Sequence, residues 1–222
     1  MQNFATPAAI VTLLAVPAGR IRLVAAERAD TTVEILPADP SKSRDVKTAE
    51  QTEVTYADGV LRIEVPKPKS ASTFGNTGSI EVTVQLPAGS RVEAEAAAAE
   101  LRAVGRLGDV AFQGAYHQIK IDQAASLNLT ATDGDIEVGR LTGSAEITTA
   151  RGDIRIAEAT GGTLALTTRK GDITVGAATG VSAVLDAGTA YGRVTNSLKN
   201  DGTPGLSIRA TTAYGDIAAR SL

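Results

Sequence analysis

Along most of the chain apolar and polar residues alternate with a spacing of two, and glycines break the alternation at regular intervals. A spacing of two places every second side chain on one face of an extended strand, so the pattern predicts short β-strands with one buried face each. Gly-Asp-Ile recurs at Gly134-Asp135-Ile136, Gly152-Asp153-Ile154, Gly171-Asp172-Ile173 and Gly215-Asp216-Ile217, with Gly192-Arg193-Val194 before the last. These glycines lie 18, 19, 21 and 23 residues apart. Stepping back by 17 and then 18 residues reaches His117 and Ala99.

The series sets a frame that the remaining residues can support or contradict. Seven residues before each anchor stand Val92, Val110, Leu127, Ala145, Leu164, Leu185 and Ile208. Five before stand Ala94, Phe112, Leu129, Ile147, Leu166, Ala187 and Ala210. Two after come Leu101, Ile119, Ile136, Ile154, Ile173, Val194 and Ile217; four after come Ala103, Ile121, Val138, Ile156, Val175, Asn196 and Ala219. Of these 28 positions 27 are apolar, Asn196 being the exception. Each repeat therefore holds two short strands that face one core and meet at the glycine, where a positive φ allows a sharp corner.

An all-β, single-domain β-solenoid of about seven coils is the expected fold for residues 91–222. About 18 residues at ~3.3 Å each give a perimeter near 60 Å, enough for one layer of side chains. A meander of hairpins would stack equivalent residues in every second strand and stays open as an alternative. Glu93 to Arg102 has high helix propensity, but its apolar residues fit the columns, and it is expected to be a strand. Residues 1–90 are less regular. Val16-Pro17-Ala18-Gly19-Arg20-Ile21 parallels Leu86-Pro87-Ala88-Gly89-Ser90-Arg91-Val92, and Gly19 and, more loosely, Gly59 follow the anchor pattern. This region is expected to form irregular strands and a cap within the same domain, 1–222, with loops over Pro37–Lys47 and Pro66–Ser79.

Composition narrows the function. Net charge is −3 and no block of like charge occurs, so no surface for nucleic acid is expected. The chain has no cysteine, which excludes disulfides and thiolate chemistry and suits a reducing compartment. No stretch approaches the ~20 apolar residues of a membrane span. Met1 to Ala9 contains no Lys or Arg, so the apolar run at Ala8-Ala9-Ile10-Val11 reads as a strand rather than a secretory signal. A cytoplasmic location follows as the expectation, with a secreted or cell-surface one as the alternative.

The candidate chemistry is sparse. Asp135, Asp153 and Asp172 should stack on successive coils, with Asp216 further along, and stacked carboxylates raise the question of a calcium ladder. Arg193 interrupts the column and Gln118 precedes it, while Arg151 and Lys170 lie beside it. Capping of turns by aspartate explains the column without metal. The same carboxylates could serve as acid and base in a polysaccharide-cleaving β-helix enzyme. Such an enzyme needs long groove walls, and these turns are short. His117 is the only histidine; no nucleophile-elbow pattern joins it to Ser126 and Asp122. No catalytic residue, metal site or cofactor is expected.

Tyr116, Tyr191 and Tyr214 each directly precede an anchor and could line one corner as a contact strip. The last coil, around Ala218, ends two residues from the chain terminus, so its strand is the expected free edge for self-association or an unknown protein partner.

The stacked Gly-Asp-Ile coils, the Pro-Ala-Gly-Arg-Ile entry and the closing Tyr-Gly-Asp-Ile resemble the bacterial putative-adhesin family of unknown function, also described as toastrack-like β-strand-repeat proteins. The resemblance covers essentially the whole chain. It implies an all-β repeat fold and, for some members, association with envelope-stress systems; it carries over no catalytic residues. The expected function is a non-enzymatic scaffold or protein-interaction module linked to such a response. A secreted or surface adhesin is the alternative, and a carbohydrate-active β-helix enzyme the third.

Overall fold

The structure of the chain is a computed structural model and describes residues 1–66, 78–114 and 118–222. The elements of the first ninety residues are β1 (Gln2–Ala5), β2 (Val11–Ala26), β3 (Asp30–Pro37), helix α1 (Ser43–Gln51), β4 (Glu53–Ala57), β5 (Val60–Glu64) and β6 (Ile80–Pro87). The repeat region follows with β7 (Arg91–Arg106), β8 (Asp109–Gly114), β9 (Ile119–Ala124), β10 (Ser126–Asp133), β11 (Ile136–Leu141), β12 (Ala145–Arg151) and β13 (Ile154–Ala159). It ends with β14 (Gly162–Lys170), β15 (Ile173–Ala177), β16 (Ala183–Tyr191), β17 (Val194–Ser197), β18 (Leu206–Tyr214) and β19 (Ile217–Ser221).

The repeat strands pair in parallel with one coil of offset, which removes the hairpin alternative and makes the chain a β-solenoid. β12 lies between β10 and β14, while β13 lies between β11 and β15. The predicted columns are the observed registers: Leu127, Ala145 and Leu164 align, as do Ile136, Ile154 and Ile173. Alternation along each strand buries these columns in one continuous core that runs from Ile10 to Ala219. The Glu93–Arg102 segment lies within β7, because its alternate side chains fill the columns and that burial outweighs helix propensity.

Glycine is required at the corners by close approach as well as by φ. Gly152 and Gly171 have φ of 133° and 153°. A Cβ on Gly152 would collide with the carbonyl of Gly134, and one on Gly171 with that of Gly152. The amides continue the contact: Gly134 donates to Arg151 O and Gly152 to Lys170 O, both at 2.9 Å.

Residues 1–90 supply both further coils and a cap. β2 is a complete coil, bent at Gly19 and paired along its length with β7, so that Gly19 lies beside Ala99 eighty residues later. The next coil outward is assembled from two pieces: β5 pairs with the first half of β2 and β6 with the second. Beyond it the sheet turns antiparallel, with β4 on β5, β3 on β6 and β1 on β3. Two expectations are corrected here. Gly59 is no anchor; Asp58 and Gly59, at φ 51° and 76°, turn the β4–β5 hairpin. The second half of the expected loop Pro37–Lys47 is helical from Ser43, held by Asp45, whose carboxylate accepts the amides of Asp39 (3.2 Å) and Ser79 (3.0 Å). The apolar run 8–11 enters a strand only at Val11.

Candidate functional site

The far end of the solenoid departs from chain order. β18 pairs with β14 on one side and β16 on the other; β19 likewise lies between β15 and β17. The chain leaves β15, builds the coil β16–β17 one place too far out, and returns through residues 198–205 to fill the gap with its last coil. Ala218 is consequently flanked by Thr174 and Thr195. The expected free edge at Ala218 is an interior strand, and the terminal coil is β16–β17.

Side-chain bonds follow the same spatial order. Asp135 Oδ1 accepts the amide of Asp153 at 2.9 Å, Asp153 Oδ1 that of Asp172 at 2.7 Å, Asp172 Oδ1 that of Asp216 at 2.7 Å, and Asp216 Oδ1 that of Arg193 at 2.8 Å. The aspartate column that Arg193 interrupts in sequence is continuous in space. Each carboxylate caps the corner of the next coil out, and Arg193 stands on the outermost coil, where no further amide requires one. Threonine hydroxyls add a second ladder absent from the expectations: Thr168 donates to Gly152 O, Thr212 to Gly171 O and Thr189 to Gly215 O, at 3.0–3.1 Å. Among the described residues no group of three or more His, Cys, Asp or Glu is arranged to hold a metal.

The outermost coil is also the one that fails to bury its columns. Of the 28 column positions, the four that are not buried are Leu185, Ala187, Val194 and Asn196, all on β16 and β17. Val194 is 43% exposed, whereas Ile217, its neighbour in the column, is 1% exposed. Leu185 and Ala187 pack against the core but stay only partly buried. Among the described residues no strand pairs with the outer edges of β16 and β17. Asn196, the polar exception of the columns, is exposed, and its Oδ1 accepts the amide of Leu198 at 3.0 Å.

Tyr191 and Tyr214 meet at the corner of this end. Their rings are stacked with centroids 5.0 Å apart and an interplanar angle of 2°, and they are 68% and 57% exposed. Lys170 follows Tyr214 in the register, and Arg151 precedes Lys170. Tyr116 and His117 lie outside the described residues. In the loop that carries the return crossing, the Ser182 hydroxyl and the Thr203 amide hold the Asp201 carboxyl below its usual range.

Two open hollows of about 230 and 210 Å³ share Glu93 and Glu95 on the outer face of β7; Gln113 and Asn128 border the first, Arg62 and Glu64 the second. Loops from β9 to β15 are one to three residues long, and none rises to wall a groove. No described helix is long and apolar enough to cross a membrane.

Parallel coils around a thin apolar core, closed at one end and open at the other, define a β-solenoid whose distinguishing surface is an unpaired coil. The chain belongs to the Toastrack DUF4097 family, whose model matches residues 14–221. No curated protein matches it. Similar solved structures include a putative cell adhesion protein from Clostridium sporogenes (14% identity, 100% of this chain and 98% of that one, TM-score 0.40). Another is a putative adhesin from Bacteroides fragilis (15% identity, 98% and 95%, TM-score 0.42). A third is a putative adhesin from Parabacteroides distasonis (12% identity, 98% and 95%, TM-score 0.30). Likenesses of that order carry no function to this chain.

Proposed function

We propose that this chain is a non-enzymatic scaffold or protein-interaction module that binds through the open coil β16–β17. One observation carries the reading: among the described residues this coil alone leaves its core-facing columns uncovered, and past the Ala183 amide, which donates to Lys199 O, no strand pairs with its outer edge. Exposed edges of this kind template the addition of strands. The stacked tyrosines beside it offer an aromatic anchor of the type found at contact surfaces. The short loops between β9 and β15 support this reading over a carbohydrate-active enzyme. A link to envelope stress rests on the family resemblance, and a cytoplasmic location on the cysteine-free composition; fractionation of the native host checks the latter.

Pull-down with cross-linking from the host lysate tests the reading, using wild type and Val194→Arg. Val194 is exposed, so the variant should fold with an unchanged circular-dichroism spectrum. Loss of the cross-linked partner, whether a second copy or another chain, is expected. Retention of every wild-type partner would sink the proposal.

A further inference from the structure

We infer that the open coil β16–β17 is a homodimer interface, on which a second copy of this chain sits across a two-fold axis through the glycine corner. The inference rests on the interaction reading above and names its occupant.

Past Ala183, whose amide donates to Lys199 O at 2.9 Å, β16 and β17 are both without a strand partner on the same side, and Leu185, Ala187 and Val194 face a core left partly open between them. One added strand would satisfy β16 or β17 and leave the other bare. The occupant must present two strands that meet at a corner, with apolar residues between them. The opposite end of the molecule shows such a solution built in: β5 and β6 are covered by two antiparallel strands, β4 and β3, one on each half of the coil.

Strand direction sets how the second copy lies. β16 runs toward the glycine corner and β17 away from it. A two-fold axis along the line joining the two corners exchanges the faces of the coil. It lays each copy's β16 antiparallel on the partner's β17. The four residues of β17 and the facing part of the nine-residue β16 are then paired, and the two open cores face each other. β16 and β17 bring no unpaired charge to this contact: Asp186, the one charged residue of β16, pairs with Arg209 of β18 at 3.3 Å, and β17 carries none.

A nine-residue strand at ~3.3 Å per residue is about 30 Å long, and two facing strands with their side chains are about 20 Å deep. The end therefore covers about 600 Å² per copy, or about 1,200 Å² in total, at the lower limit for specific protein interfaces. The expected dimer is one of micromolar affinity.

Sedimentation of the full chain from low to high micromolar concentration tests this directly. Wild type should pass from monomer to dimer, and Val194→Arg should remain monomeric. The chain has no cysteine, so a double variant, Ala187→Cys with Asn196→Cys, gives a second readout that survives any folding defect of the first. These positions face inward on opposite strands and become cross-copy neighbours in the two-fold arrangement, so oxidation should trap a covalent dimer. A wild-type monomer at every concentration overturns the inference. So does a dimer that Val194→Arg leaves intact and the cysteine pair fails to trap. If sedimentation shows only monomer while the pull-down still depends on Val194, the partner is another protein's strand pair and the interaction reading stands. If neither depends on Val194, both fail.

Discussion

The two ends of the solenoid solve one physical problem in opposite ways. Any stack of parallel coils leaves backbone donors, acceptors and half a core exposed at each end. At the end built from β5 and β6 the chain covers itself. Antiparallel β3 and β4 complete the ladders, and β1 extends them. The rings of Phe4 and Tyr56 meet at 5.5 Å at this end, and Asp45 of α1 accepts the amide of Ser79, just before β6. At the end built from β16 and β17 only the start of the return loop does so among the described residues: Lys199 O accepts the Ala183 amide and Leu198 packs against the core, and no strand covers the rest. The cap occupies much of the first ninety residues, so the fold has the means to close an end and closes one. The proposed interaction surface rests on this contrast.

The largest test of that contrast uses one column at two depths. Ile154 is fully buried, between Ile136 and Ile173. Ile154→Asp places an unpaired charge in the core and should cost more than about 4 kcal/mol, enough to abolish the cooperative unfolding transition. Val194→Asp occupies the equivalent place on the open coil. At concentrations low enough to keep the chain monomeric, it should cost less than about 1 kcal/mol by denaturant titration. Similar losses at the two positions would mean that the coil is not open.

Next in size is the closed end. Asp45 is buried and satisfies two backbone amides, so Asp45→Ala should destabilise by about 2–3 kcal/mol. Urea titration gives the value, and a loss below about 0.5 kcal/mol would show that the helix does not secure this cap.

The smallest effect sharpens the order of the last coils. Asp172 serves the amide of Asp216, which only an inserted last coil places within reach. Asp172→Ala should cost about 1 kcal/mol, while Arg193→Ala on the outermost coil should stay within about 0.5 kcal/mol. Hydrogen exchange adds a direct reading: amides of β19 should be protected more strongly than those of β17. The reverse ranking would restore simple chain order.

Much of the architecture was legible in the residues because strand alternation is a local property that burial enforces. Ile119, Ile136, Ile154 and Ile173 are predicted neighbours and observed ones. The pairing of Gly19 with Ala99 was half legible: both fit the frame, but nothing local marks the eighty residues between them as an excursion. The open coil had three faint signals, namely the longer spacings of 21 and 23 residues, Arg193 in the aspartate column and Asn196 in an apolar one. Each was visible as an exception, and their common cause was not.

What the sequence alone determined is the coil: its period, its inward columns, its glycine corners and its lack of a catalytic signature. These depend on side-chain volume and backbone freedom within about twenty residues. What only the tertiary structure decided is the order of the coils and therefore which one is last. Every coil presents nearly the same apolar face and the same ladder of amides, so the pattern fits β14 against β16 as well as against β18. The choice is made by contacts between residues dozens of positions apart, Asp172 with Asp216 and Thr212 with Gly171. No local pattern records which of two similar coils will lie between the others.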